Sequence, residues 1–255
     1  MPAIRAAPRS SPCGRRRAAS LPILRLLALQ LGAQLAAALT AQPAGAQSLQ
    51  TLSVDFVRND GQEQVRGTLY FQAPQRVLIR VSEPVLQWSE FSGHTLLIYY
   101  PAEQRAFRFI SRNRLLIPFP RSFLGFLRPD FGLAEAGFSL RHSLRRGELL
   151  LTVWDPPGAL RRTIGQALVA TDRGGPVFLQ LDDPKGRLLS RTEYSQARQA
   201  GGLSFPGRIV VVEGESEGQR REESLYTNHL VNASLPPEAA DFRLPEGIAV
   251  QELQW

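Results

Sequence analysis

The sequence predicts a mainly β protein, built on one strongly curved antiparallel sheet of about eleven strands with a short helical or irregular lid. Three observations carry this expectation. Runs of strand-forming residues recur at close spacing, divided by turn residues. Within the early runs, apolar and polar residues alternate. One apolar stretch, residues 114–127, breaks that rhythm and suits neither an internal strand nor a long helix.

The first 46 residues stand apart from the rest. They hold Arg5, Arg9, Arg15, Arg16, Arg17 and Arg25 and no acidic residue, and they hold the only cysteine, Cys13. Leu26 to Leu39 then forms an apolar run, followed by Ala44-Gly45-Ala46. A basic segment, an apolar run and a small-x-small site in that order predict a cleavable signal peptide over residues 1–46, of the Sec type, leaving Gln47 first. A transmembrane anchor is the weaker reading, because the run has 14 residues and includes Gln30 and Gln34, whereas a spanning helix takes about 20. No cysteine stands at the cleavage site, so acylation of this chain is not expected.

Six of the 30 basic groups lie in that leader, leaving 24 against 23 acidic groups in residues 47–255. A net charge near +1 removes the case for a nucleic-acid partner that the whole-chain pI of about 10.4 would otherwise raise. Without cysteine, residues 47–255 have no disulfide, no thiolate metal site and no cysteine nucleophile. His94, His142 and His229 lie far apart in sequence, so no metal and no cofactor is expected.

Residues 47–255 read as a single domain, since no Ser/Gly-rich linker divides them. Leu52 to Val57 opens the domain with Leu52, Val54 and Phe56 on one face. After Asn59-Asp60-Gly61, Val65 to Phe71 places Leu69 and Phe71 on one face, and beyond Pro74, Val77, Ile79 and Val81 share a face. Hairpin-length connections make this an antiparallel meander. Thr95 to Tyr100 and Arg105 to Ile110 follow. Beyond the 114–127 stretch come Phe138 to Leu144, Leu149 to Trp154, Gly165 to Thr171, Val177 to Asp182, Leu188 to Ala197, Ser204 to Glu213 and Arg220 to Leu230. So many strands do not lie flat in one open sheet, which must curl or close. The 114–127 stretch, rich in Leu, Ile and Phe around Pro118 and Pro120, is an apolar plug or lid; capping core and gating lid look alike in sequence.

Catalytic motifs fail on context. Gly214-Glu215-Ser216-Glu217-Gly218 fits the G-x-S-x-G pattern, but that nucleophile elbow needs a strand before it and a helix after it, and both flanks here read as strands. Two glutamates beside Ser216 would oppose alkoxide formation, and His229 lacks the acid-then-histidine order. Asp182-Asp183 and Glu222-Glu223 are neighbours in strands, so each pair points to opposite faces. No phosphate-binding loop, H-E-x-x-H or EF-hand spacing is present. The chain is not expected to be an enzyme. The basic clusters Arg141/Arg145/Arg146 and Arg161-Arg162 read as solvated turns, with a docking patch as the alternative.

Three segments resemble the bacterial periplasmic lipoprotein-carrier (LolA-like) family. Pro74 to Pro101, PQRVLIRVSEPVLQWSEFSGHTLLIYYP, matches its order of proline, strand, Glu-Pro, second strand, Ser-Gly-x-Thr-Leu and aromatic strand closed by proline. The strand around Phe56 leads through a turn to Gly67-x-Leu69. Near the end, Asn232, Phe242, Leu244-Pro245-x-Gly247 and Val250 repeat the family's closing run. The resemblance implies an unclosed half-barrel with an apolar interior for acyl chains. It implies a carrier, working as a monomer, that takes a lipoprotein or other acylated lipid from an inner-membrane releasing transporter to an outer-membrane acceptor. Its lipid-binding candidates are Val54, Phe56, Leu69, Phe71, Val77, Ile79, Val81, Trp88, Leu116, Phe119, Phe123 and Phe126. In family members an arginine before the first proline tethers the lid; Ala73 stands there here, leaving Arg76 and Arg80 as tether candidates. The family's N-terminal amphipathic helix is nearly absent, and Leu203 to Leu230 makes a longer strand pair. These departures admit two other readings: a glycolipid or polyene-lipid shuttle serving an exporter of the resistance-nodulation-division type, or a non-catalytic envelope-stress domain that binds a protein.

Overall fold

The computed structural model describes residues 48–254 except 75, 93–94, 111–122, 124, 126–129, 135, 174 and 216–217. The expected signal peptide and the candidates Leu116, Phe119 and Phe126 lie outside the described residues. All those described belong to one compact unit.

Fourteen strands form one large, curved, unclosed sheet. In chain order its first half comprises β1 (Thr51–Asn59), β2 (Gln64–Gln72), β3 (Arg76–Glu83), β4 (Gln87–Ser92), β5 (Thr95–Tyr100) and β6 (Arg105–Ile110). The second half holds β7 (Ser139–Arg146), β8 (Leu149–Asp155), β9 (Gln166–Asp172), β10 (Gly175–Asp182) and β11 (Leu188–Ser195). Then come a small separate hairpin, β12 (Arg198–Ala200) with β13 (Leu203–Phe205), and the strands β14 (Arg208–Glu215), β15 (Gly218–Val231) and β16 (Ala249–Gln254). The order across the sheet is β16-β6-β5-β4-β3-β2-β1-β15-β14-β11-β10-β9-β8-β7. Every pair is antiparallel except β16, which lies parallel to β6.

The strand count exceeds the expected eleven for physical reasons. Strand β4, with the sequence QWSEFS, has polar and apolar side chains on both faces and carries little alternation signal. β16 is a mostly polar edge strand, β12 lies just beyond the run expected to end at Ala197, and β13 splits off the start of the run expected over Ser204 to Glu213.

The sheet bends at irregularities as well as by twist. Register slips occur in β1–β15, β10–β11, β9–β10, β2–β3 and β7–β8, and each bulge raises the local twist. The slip at Arg66/Gly67 sits beside a close approach. The Phe56 ring lies across Gly67, and a Cβ there would overlap the Arg80 carbonyl and meet the ring carbon Cζ at 2.8 Å. That is why the Gly67-x-Leu69 motif carries glycine.

One face of the sheet, here the inner face, carries the main core. The other is crossed by the chain after β15. Asn232, at φ 54°, ends β15. Its Oδ1 accepts from the Gln50 amide (2.7 Å) and its Nδ2 donates to the Ser48 carbonyl (3.1 Å), pinning the start of β1. The short helix α1 (Pro237–Ala240) then packs Ala239 on Tyr70 and Leu78, and Phe242, Leu244, Ile248 and Val250 cover Leu97, Tyr99 and Ala106 on the way to β16. The closing sequence motif is thus a strap across the outer face.

Candidate functional site

Alternation decides which side chains can line the inner face. Strands β1, β2 and β3 present Leu52, Val54 and Phe56, then Leu69 and Phe71, then Val77 and Ile79, all buried in one cluster with Val81 packed against its edge. On the far side of β1 the same cluster continues through Tyr226 of β15, Ile209 of β14, Tyr194 of β11, Leu181 of β10, and Ala167 and Val169 of β9. The expected inward residues of the first three strands therefore share one surface. The later half went unassigned in the sequence reading, although Ile209 and Val211 alternate with Arg208, Val210 and Val212 in the same way.

Connecting segments and the small β12–β13 hairpin, not further strands of the large sheet, cover this surface. Phe123, whose backbone is helical, is 0% exposed. Its ring centroid lies 4.5 Å from Tyr226, 6.0 Å from Phe205 and 6.1 Å from His229. Asp130 accepts from the Gly132 and Ala134 amides at 2.9 and 3.2 Å, holding a turn that buries Phe131 and Leu133. Phe131 packs on Tyr194 at 5.1 Å. Phe138, Ile164 and Phe205 complete the cover. Part of the expected apolar plug thus sits directly on the inner face.

Trp88, Arg76 and Arg80 do not. Arg80 pairs across the ladder with Trp88, and Leu78 with Glu90, so these side chains lie on the outer face while Val77 and Ile79 point inward. Trp88 stacks on Phe242 of the strap at 5.1 Å, with Arg80 over its ring at 5.7 Å. Arg76 donates to Glu90 Oε1 (2.6 Å) and to the carbonyls of Ala239 (2.9 Å) and Ala240 (2.8 Å). It is a tether, but for the C-terminal strap; a guanidinium at the end of α1 satisfies carbonyls that have no helical partner.

The inner face is apolar at its centre and charged at one end. Beyond Phe56, the same face carries Arg58 beside Glu222 (3.9 Å), and Arg220 beside Asp60 (3.0 Å). Burial pushes the Glu222 carboxyl up, opposed by Arg58 and Arg220. Burial also works to raise Asp60, but the Glu63 and Gln62 amides and Arg220 outweigh it and hold that carboxyl below its ordinary range. Toward the other end of β15, His229 borders the Phe123 cluster. Desolvation lowers its pKa, and its Nε2 is buried without a hydrogen-bond partner among the described residues. Burial raises both Tyr194 and Tyr226, so these phenols are neutral.

This constellation suits binding apolar chains better than proton or group transfer. Gly214 and Gly218 belong to the antiparallel hairpin β14–β15, in which Glu215 pairs with Gly218, so the strand-to-helix setting of a nucleophile elbow is missing there; Ser216 lies outside the described residues. Among the described residues no three His, Cys, Asp or Glu side chains gather to hold a metal. Nor is any described helix long and apolar enough to cross a membrane.

No family model and no curated protein matches the sequence. Among solved structures, the chain is similar to a DUF1329 family protein from Desulfovibrio piger, at 13% identity and a TM-score of 0.50, covering 76% of this chain and 90% of that one. A LolA superfamily protein from Nitrosomonas europaea is 15% identical over 74% of this chain and 87% of its own, with a TM-score of 0.47. A domain described as outer-membrane lipoprotein-sorting, from Vibrio parahaemolyticus, is 11% identical over 73% and 87%, with a TM-score of 0.49. At such identities the likeness is one of fold. That fold is a single curved, unclosed sheet whose inner face is covered by connecting segments and a small hairpin.

Proposed function

We propose that this protein is a periplasmic carrier that shelters acyl chains against the inner face of its sheet and moves a lipoprotein, or a related lipid, from the inner to the outer membrane. The observation that carries the reading is the make-up of that face. It is a continuous apolar surface on an unclosed sheet, covered by Phe123 and Phe131 from a connecting segment and by Phe205 of the small hairpin, and not by further strands of that sheet. A cover held by side-chain packing can give way where a paired strand would not. Each acyl methylene sheltered from water contributes about 0.8 kcal/mol, so a chain of ordinary length can offset the loss of the cover's own contacts. Release then requires only an acceptor that binds the cargo better. No covalent step is involved.

A second cargo, a glycolipid or polyene lipid, draws support from one observation: Ala73 stands where an arginine tethers the lid in the family, and Arg76 faces away from the inner surface. The test is native mass spectrometry with lipid extraction on protein exported by its own leader and purified without detergent. Bound acylated protein supports the lipoprotein carrier, and a discrete glycolipid or pigment supports the second cargo. Empty protein that also fails to take up a fluorescent fatty acid overturns both.

A further inference from the structure

Strand β7 is one of the two edges of the large sheet. Among the described residues it pairs with β8 alone, and all eight of its residues are exposed. Such an edge offers a row of unpaired amide and carbonyl groups, the template on which another chain adds as a strand. Leu140 and Leu144 are 52% and 58% exposed, and their cross-strand partners, Trp154 and Leu151, lie on opposite faces. An added strand would therefore gain apolar contact on either side.

The charges on this edge select the occupant. Arg141, Arg145 and Arg146 all lie on β7, with no acidic residue between Phe138 and Gly147. Arg141 makes one exposed contact with Asp155, at 3.8 Å, and Arg145 and Arg146 make no ion pair among the described residues. The nearby Glu148 is engaged by Arg173 at 3.3 Å. Antiparallel pairing with a second copy would gather six arginines along one two-stranded edge with no acidic partner on either strand, so the charge pattern disfavours self-association while favouring an acidic strand. A shallow depression of about 240 Å³, lined by Arg145, Glu148, Leu150, Asp172 and Arg173, adjoins the end of the edge. The expected strand Phe138 to Leu144 thus extends through Arg145 and Arg146, which lie on a strand edge and not in a solvated turn.

We propose that β7 is a docking edge for an extended acidic segment of a partner protein, which adds to the sheet as one more antiparallel or parallel strand. The proposal does not depend on what the inner face carries. It is tested by amide hydrogen exchange on the whole protein, with a synthetic peptide of alternating glutamate and valine that matches the eight-residue edge. The acidic peptide should slow exchange at alternate amides of Ser139–Arg146 by about tenfold or more, should lose this effect in high salt, and should outcompete a lysine–valine peptide. Arg145→Glu with Arg146→Glu, both at exposed positions, should reverse that preference. Absence of protection at β7, protection only elsewhere, or equal binding of the two peptides would overturn the proposal. Concentration-dependent protection of β7 without any peptide would also overturn it, by showing that a second copy fills the edge.

Discussion

Replacing Phe123 with alanine separates a cover that competes with cargo from a side chain that is simply core. The ring is fully buried and touches Tyr226, Phe205 and His229. Burial of a phenylalanine contributes about 1.5–3 kcal/mol, and an aromatic pair such as that with Tyr226 about 0.5–1.5 kcal/mol more. Together these agree with the roughly 3–5 kcal/mol typical of a buried Phe→Ala change. Urea denaturation of Phe123→Ala should show a loss of about that size. If the ring occupies space that acyl chains take, the same change removes a competitor. Since about 1.4 kcal/mol is tenfold in affinity, uptake of a fluorescent fatty acid should tighten by at least tenfold even as stability falls. Loss of stability with unchanged or weaker uptake would refute the competition and leave Phe123 as packing alone.

Three further outcomes test the framework around the site. Gly67→Ala forces a methyl group into the Arg80 carbonyl and the Phe56 ring, and denaturation should register a loss of about 1–3 kcal/mol. Asn232→Ala should cost about 1–3 kcal/mol, through the lost bonds to Gln50 and Ser48 and through its positive φ. Asn232→Gly should cost less, because only the hydrogen bonds are lost; equal losses would discount the backbone contribution. His229 has its folded pKa lowered by desolvation, with Arg198 adding to that and the Pro206 carbonyl opposing it. Its contribution to stability is therefore complete above the unfolded value near 6.5 and lost as pH falls toward the folded value. Between pH 7 and 5.5 the protein should lose stability at no more than about 1.4 kcal/mol per pH unit from this group. His229→Phe should flatten that limb, and an unchanged slope would assign it to other groups.

Much of the inner face was legible because β1 alternates strictly and Leu69/Phe71 and Val77/Ile79 stand two apart, although the strap also buries Tyr70 and Leu78 between them. Trp88 was misplaced for an equally specific reason. Parity does not carry across the Glu83-Pro84 turn, and Arg80 opposite Trp88 puts the indole on the outer face. The strap that covers it comes from residues 235–250, a contact over such a span of sequence that no local pattern announces it. Arg76 was recognisable as a tether but not its object, since the carbonyls it reaches belong to the same strap. Arg141 fell inside the expected Phe138 to Leu144 run, whereas Arg145 and Arg146 read as a turn, because an edge strand has no buried face to mark where it ends.

The central claim is that acyl chains lie on the inner face. Photo-crosslinking of the purified protein with a diazirine-bearing fatty acid, followed by peptide mapping, tests it directly. The account predicts adducts on inner-face side chains such as Leu69, Tyr194 and Tyr226, with few on the strap-covered outer residues Leu78 and Trp88. Adducts confined to the outer face, or none above those on an unrelated protein, would contradict it.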